Sequence, residues 1–275
     1  MIEGKPSYPF HTIALAVAFN NELSFLISEM RKLATSHASM SVFIHCGKKT
    51  NEKFRELTTL LSANGFHDGN SRIYWEQGQT IPSILQVCKH EVVDLLLVGL
   101  SQRKTFALPV GSITAELTKK AKCSVLIYAS NKEQIEKIVV DAADHRKTNH
   151  SLLTSFYFGE RIQAKELIIL DHRNRYAQLS VPQIGVEQEE DSDPALTLAL
   201  ERSGMEFSVL QMEQLQNIDS VQLINEKNAD LFVINSVDHH LKIFDRILID
   251  HIGEALGKIN CNILIVHSRL KEEGK

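Results

Sequence analysis

Short apolar runs alternate with amphipathic stretches along the first half of the chain. The runs HTIALAVAF, MSVFIHCG, SRIYWEQ, DLLLVGL and CSVLIYAS are rich in β-branched and aliphatic residues, which is typical of buried strands. The stretches between them, such as NELSFLISEMRKLATSHA and NEKFRELTTLLSANGF, place apolar residues at helical spacing. Because parallel strands need crossover connections, this order predicts an α/β fold in which helices cover both faces of a five-stranded parallel sheet.

The second half repeats this order of elements. EKIVVDAAD corresponds to the first strand, HSLLTSFYFGERIQA to the first helix, and KELIILDH to the second strand, whose terminal His172 parallels His45. NADLFVINS corresponds to VVDLLLVGL, and INCNILIVHS to AKCSVLIYAS, so that Cys123 and Cys261 take equivalent positions. Such self-similarity is the signature of a duplicated unit. We therefore predict two doubly wound domains, each with a five-stranded mainly parallel sheet, packed as a pseudo-dimer.

A short polar segment, NKEQIE, predicts the boundary between the two domains, which we place at 1–131 and 132–275. The acidic, proline-containing stretch 173–194 is predicted to be a long solvated loop of the second domain. The apolar fifth strands, CSVLIYAS and CNILIVHS, are candidates for pairing the two halves, because unpaired sheet edges are normally covered. A homodimer of the whole chain is left open.

Composition and charge argue against several classes of function. The net charge of −4 and the lack of a Lys/Arg run argue against a nucleic-acid partner and against a polybasic membrane surface. The sequence shows neither a signal peptide nor an apolar run of about 18 residues, which predicts a cytoplasmic protein without a membrane span. The four cysteines sit singly in apolar runs, which is typical of reduced, buried thiols.

The repeated pattern resembles the universal stress protein family in its tandem, two-domain form. The resemblance covers almost the whole sequence. It rests on the order of elements, on the D-[LIV]-[LIV]-V-G ending of the fourth strand (Asp94 to Gly99, weaker in Asp230 to Asn235), and on the cysteine that opens the fifth strand. The resemblance implies a cytoplasmic stress-response protein of adenine nucleotide alpha hydrolase-like, Rossmann-like fold. It also implies a nucleotide such as ATP or AMP as the ligand.

Nucleotide-binding members of that family carry G-x-x-G, nine residues, then G-[ST] between the fourth strand and the fourth helix. In the first domain, Gly99 matches the first glycine, and Gly111 with Ser112 matches the closing pair, although both also suit a helix N-cap. Gln102 replaces the second glycine, and the loop is one residue shorter. Arg103 could complement a phosphate. The first domain therefore keeps a partial phosphate-binding loop.

Family members that bind nucleotide also use an aspartate at the end of the first strand. The sequence alignment puts Ala18 at that position in the first domain and Asp141 in the second. Because the phosphate loop of the second domain is lost, the sequence favours a role for Asp141 in capping or hydrogen-bonding the turn after its strand. That loop has no glycine before Gly253, and Asp250 with His251 falls where G-[ST] belongs. An aspartate there would repel a phosphate, so the loop of the second domain is predicted to be degenerate.

A cluster of metal-ligating residue types occurs in the same loop of the second domain. His239, His240 and His251, with Asp238 and Asp250, have the ligand chemistry of a zinc site. A real site needs three or four converging ligands, which spacing alone does not demonstrate, so we assign no metal.

Three functions are compatible with the sequence. The first is a binding and signalling module whose first domain senses a nucleotide or another anion. The second is a ligand-independent protein-interaction module in which both nucleotide sites are degenerate. The third is a slow ATP hydrolase. Because no G-x-S-x-G, H-E-x-x-H or full Walker A motif occurs, we assign no catalytic residue and favour a protein that is not an enzyme.

Overall fold

Helices and strands alternate along the chain, as the periodicity predicts. The structure is a computed structural model, which describes residues 10–100, 112–129, 134–142, 150–171, 204–212, 220–235 and 258–267. The first half contains β1 (Thr12–Ala16), α1 (Leu23–His37), β2 (Met40–Cys46), α2 (Asn51–Ala63), β3 (Ser71–Glu76), α3 (Thr80–His90), β4 (Leu95–Gly99), α4 (Ser112–Lys120) and β5 (Ser124–Tyr128). The second half contains β6 (Lys137–Asp141), α5 (His150–Ile162), β7 (Glu166–Asp171), β8 (Glu206–Gln211), α6 (Ser220–Glu226), β9 (Leu231–Asn235) and β10 (Asn262–Val266).

All of these strands join one ten-stranded sheet in the order β3-β2-β1-β4-β5-β10-β9-β6-β7-β8. Neighbours within each half are parallel, which confirms the predicted doubly wound α/β fold. The two halves meet where β5 pairs antiparallel with β10, with Leu126 opposite Leu264. The pairing of the fifth strands that the sequence suggested is therefore present. The predicted loop 173–194 lies outside the described residues.

Side-chain hydrogen bonds extend this junction symmetrically beyond the two strands. Asn262 Oδ1 accepts from the backbone N–H of Ala129 at 3.1 Å. Ser124 Oγ accepts from the backbone N–H of His267 at 3.1 Å. Ser124 and Asn262 are equivalent positions of the repeat, since each donates its backbone N–H to the aspartate that precedes the neighbouring strand. The first residue of each fifth strand thus caps the far end of the other.

The aspartate of the family-like motif has the same structural role in both halves. Asp94 Oδ2 accepts from the backbone N–H groups of His11 and Thr12 at 2.8 and 2.9 Å. Asp230 Oδ2 accepts from Glu136 and Lys137 at 3.0 Å in each case. Hydrogen bonds to a charged acceptor are among the stronger ones. The motif therefore fixes the start of the first strand of each half, independently of any ligand.

Helices pack on both faces of the sheet. On one face, side chains of the two halves also contact each other, in addition to the pairing of β5 with β10. Core residues of α1, α2 and α5 form one buried cluster with alternate strand residues, while residues of α3, α4 and α6 form the cluster on the other face. Across the junction, Phe158 of α5 contacts Phe10 and His37, with ring centroids 6.3 and 5.7 Å apart. The two repeats therefore share one core.

Residues with a left-handed backbone conformation follow equivalent helices in the two halves. Ala38 after α1 and Gln163 after α5 have φ of 54° and 60°, and Val92 after α3 and Asn228 after α6 have φ of 51° and 52°. Asparagine tolerates this conformation, whereas a β-branched side chain is strained in it. Val92 is also 63% exposed, so burial does not offset the strain.

We expect Val92→Asn to raise the free energy of unfolding by about 1 kcal/mol, because it removes this strain without removing a buried contact. Urea denaturation followed by circular dichroism measures the change. The reciprocal variant Asn228→Val should lose a similar amount in the second half. An unchanged or lower stability of Val92→Asn would show that residue 92 is not strained.

Candidate functional site

The carboxyl ends of β1 and β4 form the place where an open α/β sheet of this kind binds its ligands. β1 pairs with β2 on one side and with β4 on the other, so the direction of the strand order changes between β1 and β4. Connections leaving such neighbouring strands diverge to opposite faces and open a crevice. Ala16 ends β1 and Gly99 ends β4, so both of these residues lie at this edge.

Gly99 is explained by helix packing. Among the described glycines, positive φ occurs at Gly47, Gly65, Gly78 and Gly204, and not at Gly99. A Cβ atom on Gly99 would lie 2.8 Å from Leu26 Cδ1 of α1, well inside van der Waals contact. A side chain at this position would require the Leu26 side chain to move, so the close approach of α1 to the end of β4 favours glycine here. Packing is therefore a second reason for the glycine, besides its match to the phosphate loop.

A carboxylate stands beside Gly99. Glu22 Oε2 lies 3.5 Å from the position of that Cβ, and Glu22 directly precedes α1. Its backbone N–H is held by Asn20 Oδ1 at 3.1 Å, which fixes the start of the helix. Burial raises the pKa of the Glu22 carboxyl above its usual value. When ionised, this group opposes the approach of a phosphate to Gly99.

Helix α4 begins close to the same edge. Thr114 Oγ1 in its first turn donates to the carbonyl oxygen of Gly99 at 3.3 Å. The unpaired N–H groups of a helix N-terminus favour anions, and those of α4 lie near the end of β4. Ser112 is the first residue of α4. Gly111 and Arg103 lie outside the described residues, and their phosphate contacts stay a prediction.

Aromatic side chains pack together where β1, β2 and β3 end. His45 Nδ1 hydrogen-bonds the carbonyl oxygen of Val17 at 3.0 Å. The His45 ring stands edge-on to Phe19 and to Trp75, with centroids 4.8 and 4.6 Å apart. Trp75 Nε1 donates to the carbonyl oxygen of Gly47 at 2.9 Å. These contacts anchor the loop that contains Ala18, the predicted position of the base-binding aspartate. We call Phe19, His45 and Trp75 the aromatic cluster.

The position of Asp141 differs from the one that the sequence alignment gave it. Ile13 pairs with Leu95 and Ile138 with Leu231, which makes Asp141 equivalent to Ala16 and not to Ala18. Its side chain is buried at the end of β6, and its carbonyl oxygen accepts from Ser151 Oγ at 3.1 Å.

The same strand register also changes which residues of β2 and β7, the second strands of the two halves, are equivalent. It places Asp171 level with His45, whereas the sequence alignment paired His172 with His45. Asp171 is only 1% exposed. Short strands of similar composition can be aligned one or two residues out of step, because the apolar pattern barely changes.

A buried acid–tyrosine pair near Gly99 could not be found from the sequence. Tyr128 pairs with Gly99 in the sheet, and its hydroxyl donates to Glu29 Oε2 at 3.5 Å. Glu29 of α1 is 6% exposed and also accepts from Lys32 Nζ at 2.6 Å. Burial, followed by the charge of Glu29, raises the pKa of Tyr128 well above its usual value. The pair joins α1 to β5.

Neither a metal centre nor a membrane helix is found in the described part of the chain. No group of three or more His, Cys, Asp or Glu side chains converges there as metal ligands would. The cluster with His239, His240 and His251 lies outside that part. The helices that the structure describes are all too short or too polar to cross a membrane. The four cysteines are free thiols, and Cys88, Cys123 and Cys261 are buried.

Comparisons with known proteins support the family resemblance for the first half and the fold for the whole chain. Residues 29–129, from within α1 to just beyond β5, match the universal stress protein family. No curated protein matches the sequence.

Solved structures with the same fold include a protein from Pseudomonas aeruginosa described as functionally unknown, at 13% identity and a TM-score of 0.62, over 94% of this chain and 92% of that one. A putative universal stress protein from Pseudomonas aeruginosa has a TM-score of 0.62 at 12% identity, over 94% of this chain and 93% of that one. A universal stress protein from Archaeoglobus fulgidus has a TM-score of 0.63 at 11% identity, over 93% and 98% of the two chains.

Proposed function

We propose that this chain is a tandem universal stress protein of the cytoplasm that acts as a ligand-independent protein-interaction module. In this proposal neither half holds ATP in the manner that the family resemblance implies. The observation that carries it is the position of the Glu22 carboxylate. Its Oε2 lies 3.5 Å from the point where a Cβ atom on Gly99 would be. When it is ionised, a carboxylate this close to Gly99, in a partly buried place, opposes phosphate binding.

The base side of the crevice supports the same proposal. Ala18 offers no carboxylate for a ribose or an adenine. The loop around it is held by the aromatic cluster, whose three rings pack edge-on or tilted against one another. A purine would have to displace contacts that stabilise the ends of three strands. In this proposal the aromatic cluster stabilises the ends of the strands and binds no base.

A nucleotide or another anion in the first half is the second candidate. It is favoured by the position of α4, whose first turn lies close to the end of β4, since Thr114 Oγ1 donates to the carbonyl oxygen of Gly99. The helix N-terminus and Ser112 would then hold phosphate oxygens, with Arg103 and Gly111 completing the loop. A slow ATP hydrolase, the third function, requires this same bound nucleotide and therefore fails if no nucleotide binds.

We expect ATP, ADP and AMP, each with and without Mg²⁺, to leave the melting temperature unchanged. The measurement is a thermal shift on protein that has been shown by native mass spectrometry to carry no copurified ligand. Glu22→Gln removes the negative charge, so it should allow a rise in melting temperature with ATP. Glu52→Gln, at the exposed start of α2, is the matched control and should behave as the unchanged protein does.

The pH dependence of ATP binding separates the two candidates further. Because burial raises the pKa of Glu22, protonation at mildly acidic pH should favour ATP binding to the unchanged protein and not to Glu22→Gln. A rise in melting temperature with ATP at neutral pH that Gly111→Asp abolishes would overturn our proposal. It would establish the nucleotide-binding candidate in its place.

A further inference from the structure

Two buried cysteines lie on the face of the sheet that α3, α4 and α6 cover. Cys88 belongs to α3, and Cys123 directly precedes β5. The two residues are 7% and 4% exposed, and both belong to the core cluster of that face. Neither residue takes part in the crevice between β1 and β4.

The backbone brings these cysteines to one point. The N–H of Val93 donates to the carbonyl oxygen of Cys88 at 2.9 Å, and the N–H of Ser124 donates to that of Asp94 at 3.0 Å. Because Val93 and Asp94 are consecutive, the end of α3 and the start of β5 are held against the same residues. Interaction with the Cys123 side chain raises the pKa of the Cys88 thiol, which is consistent with two neighbouring sulfur atoms.

We propose that Cys88 and Cys123 form a reversible disulfide when a peroxide oxidises the protein, and that this bond locks α3 to the start of β5. One thiol attacks the peroxide, the O–O bond breaks, and a sulfenic acid and one water form. The second thiol then displaces water from that sulfur and forms the S–S bond. In sum, two thiols lose two hydrogens, and hydrogen peroxide is reduced to two waters.

The environment of the two thiols controls how fast they are oxidised. The interaction with Cys123, together with burial, raises the pKa of the Cys88 thiol, so thiolate is scarce in the closed structure. Peroxide must also reach sulfur atoms that are shielded by α3. Oxidation therefore proceeds through molecules in which α3 has opened, and it becomes faster at higher pH. The bond then closes a loop from residue 88 to residue 123, which reduces the conformational entropy of the unfolded chain and so stabilises the folded protein.

The second half provides an internal control. Cys261 is equivalent to Cys123, because each precedes the residue that donates to the motif aspartate. The position equivalent to Cys88 is Ile224, whose carbonyl oxygen accepts from Ala229 as that of Cys88 does from Val93. Both Cys261 and Ile224 are 1% exposed. The same strand and helix thus meet in both halves, with a dithiol in the first half and a thiol beside an isoleucine in the second.

The test is oxidation of the full chain with hydrogen peroxide, followed by a thiol count in denaturant and by peptide mass spectrometry. We expect the free thiols to fall from four to two and a Cys88–Cys123 linked peptide to appear. The melting temperature should rise and should return to its starting value with dithiothreitol. Cys88→Ser and Cys123→Ser should each abolish the rise, whereas Cys46→Ser and Cys261→Ser should keep it.

A further variant tests the geometry without removing either thiol. Ile224→Cys places a thiol opposite Cys261 and should produce a second linked peptide between residues 224 and 261. A disulfide that involves Cys46, oxidation of single sulfurs to acids without a link, or no thiol loss in the unchanged protein would each overturn the proposal. The mass spectrum of the unchanged protein decides this even if a serine variant does not fold.

Discussion

Phe158→Ala is expected to lower the free energy of unfolding by about 3–5 kcal/mol, the usual cost of deleting a fully buried aromatic side chain. Phe158 is 0% exposed and packs against Phe10 and His37, so the cavity would open where the two repeats meet. The measurement is urea denaturation followed by circular dichroism and by tryptophan fluorescence.

The fluorescence signal makes this experiment informative about both halves. The chain has one tryptophan, Trp75, which lies in β3 at the far end of the first half. Phe158 belongs to the second half. If the continuous sheet and the shared core unfold together, the fluorescence transition of Phe158→Ala shifts as far as the circular dichroism transition.

Tyr157→Ala is the matched control, because it deletes a half-buried aromatic side chain from the same helix. It should cost clearly less than Phe158→Ala. A fluorescence transition that stays in place while circular dichroism shifts would contradict our prediction. It would mean that the first half unfolds independently of the second.

His37 is expected to make the protein sensitive to acid. Burial lowers the pKa of His37 from 6.5 to about 4, and the nearby charge of Arg161 acts in the same direction, although the hydrogen bond with Leu33 opposes it. The unfolded chain therefore takes up a proton at a higher pH than the folded protein. Stability should fall as the pH decreases from about 6.5 and level off below about 4, with a loss of about 3 kcal/mol from this group.

Replacing His37 by glutamine removes the titrating group and should flatten this part of the stability profile. Urea denaturation at pH values between 7 and 4 gives the free energy of unfolding as a function of pH. The slope of this profile is the result to compare, because a uniform change in stability leaves it unaltered. His11→Gln is the control, because the His11 side chain is exposed and only its backbone N–H bonds to Asp94. Equal slopes for His37→Gln and the unchanged protein would refute the prediction.

The periodicity predicted the fold well because it is set by burial, which follows the apolar residues directly. The strands, the crossover helices and the pairing of the fifth strands all follow from this pattern. Register could not be read in the same way. Asp141 and Asp171 lie one or two residues from the positions that the alignment implied, because strands buried on both faces are nearly continuous apolar runs that do not define register.

The candidate site was harder to predict, because its chemistry depends on residues that are close in space and distant in the chain. Gly99 was recognised as part of a motif, but its close contact with Leu26 of α1 could not be read from the sequence. Glu22 was not singled out, since a glutamate near a helix start is common on a protein surface. The contact between Cys88 and Cys123 was likewise hidden, because neither cysteine belongs to a recognisable spacing.

The antiparallel junction of β5 and β10 also constrains how a chain built from two similar halves can change in evolution. Each half covers an unpaired strand edge of the other, so neither half can be deleted without exposing a strand that invites aggregation. One copy could lose all of its ligand contacts and still be retained for the edge that it covers. Degeneration of a binding loop in such a protein is therefore no sign that the domain has become dispensable.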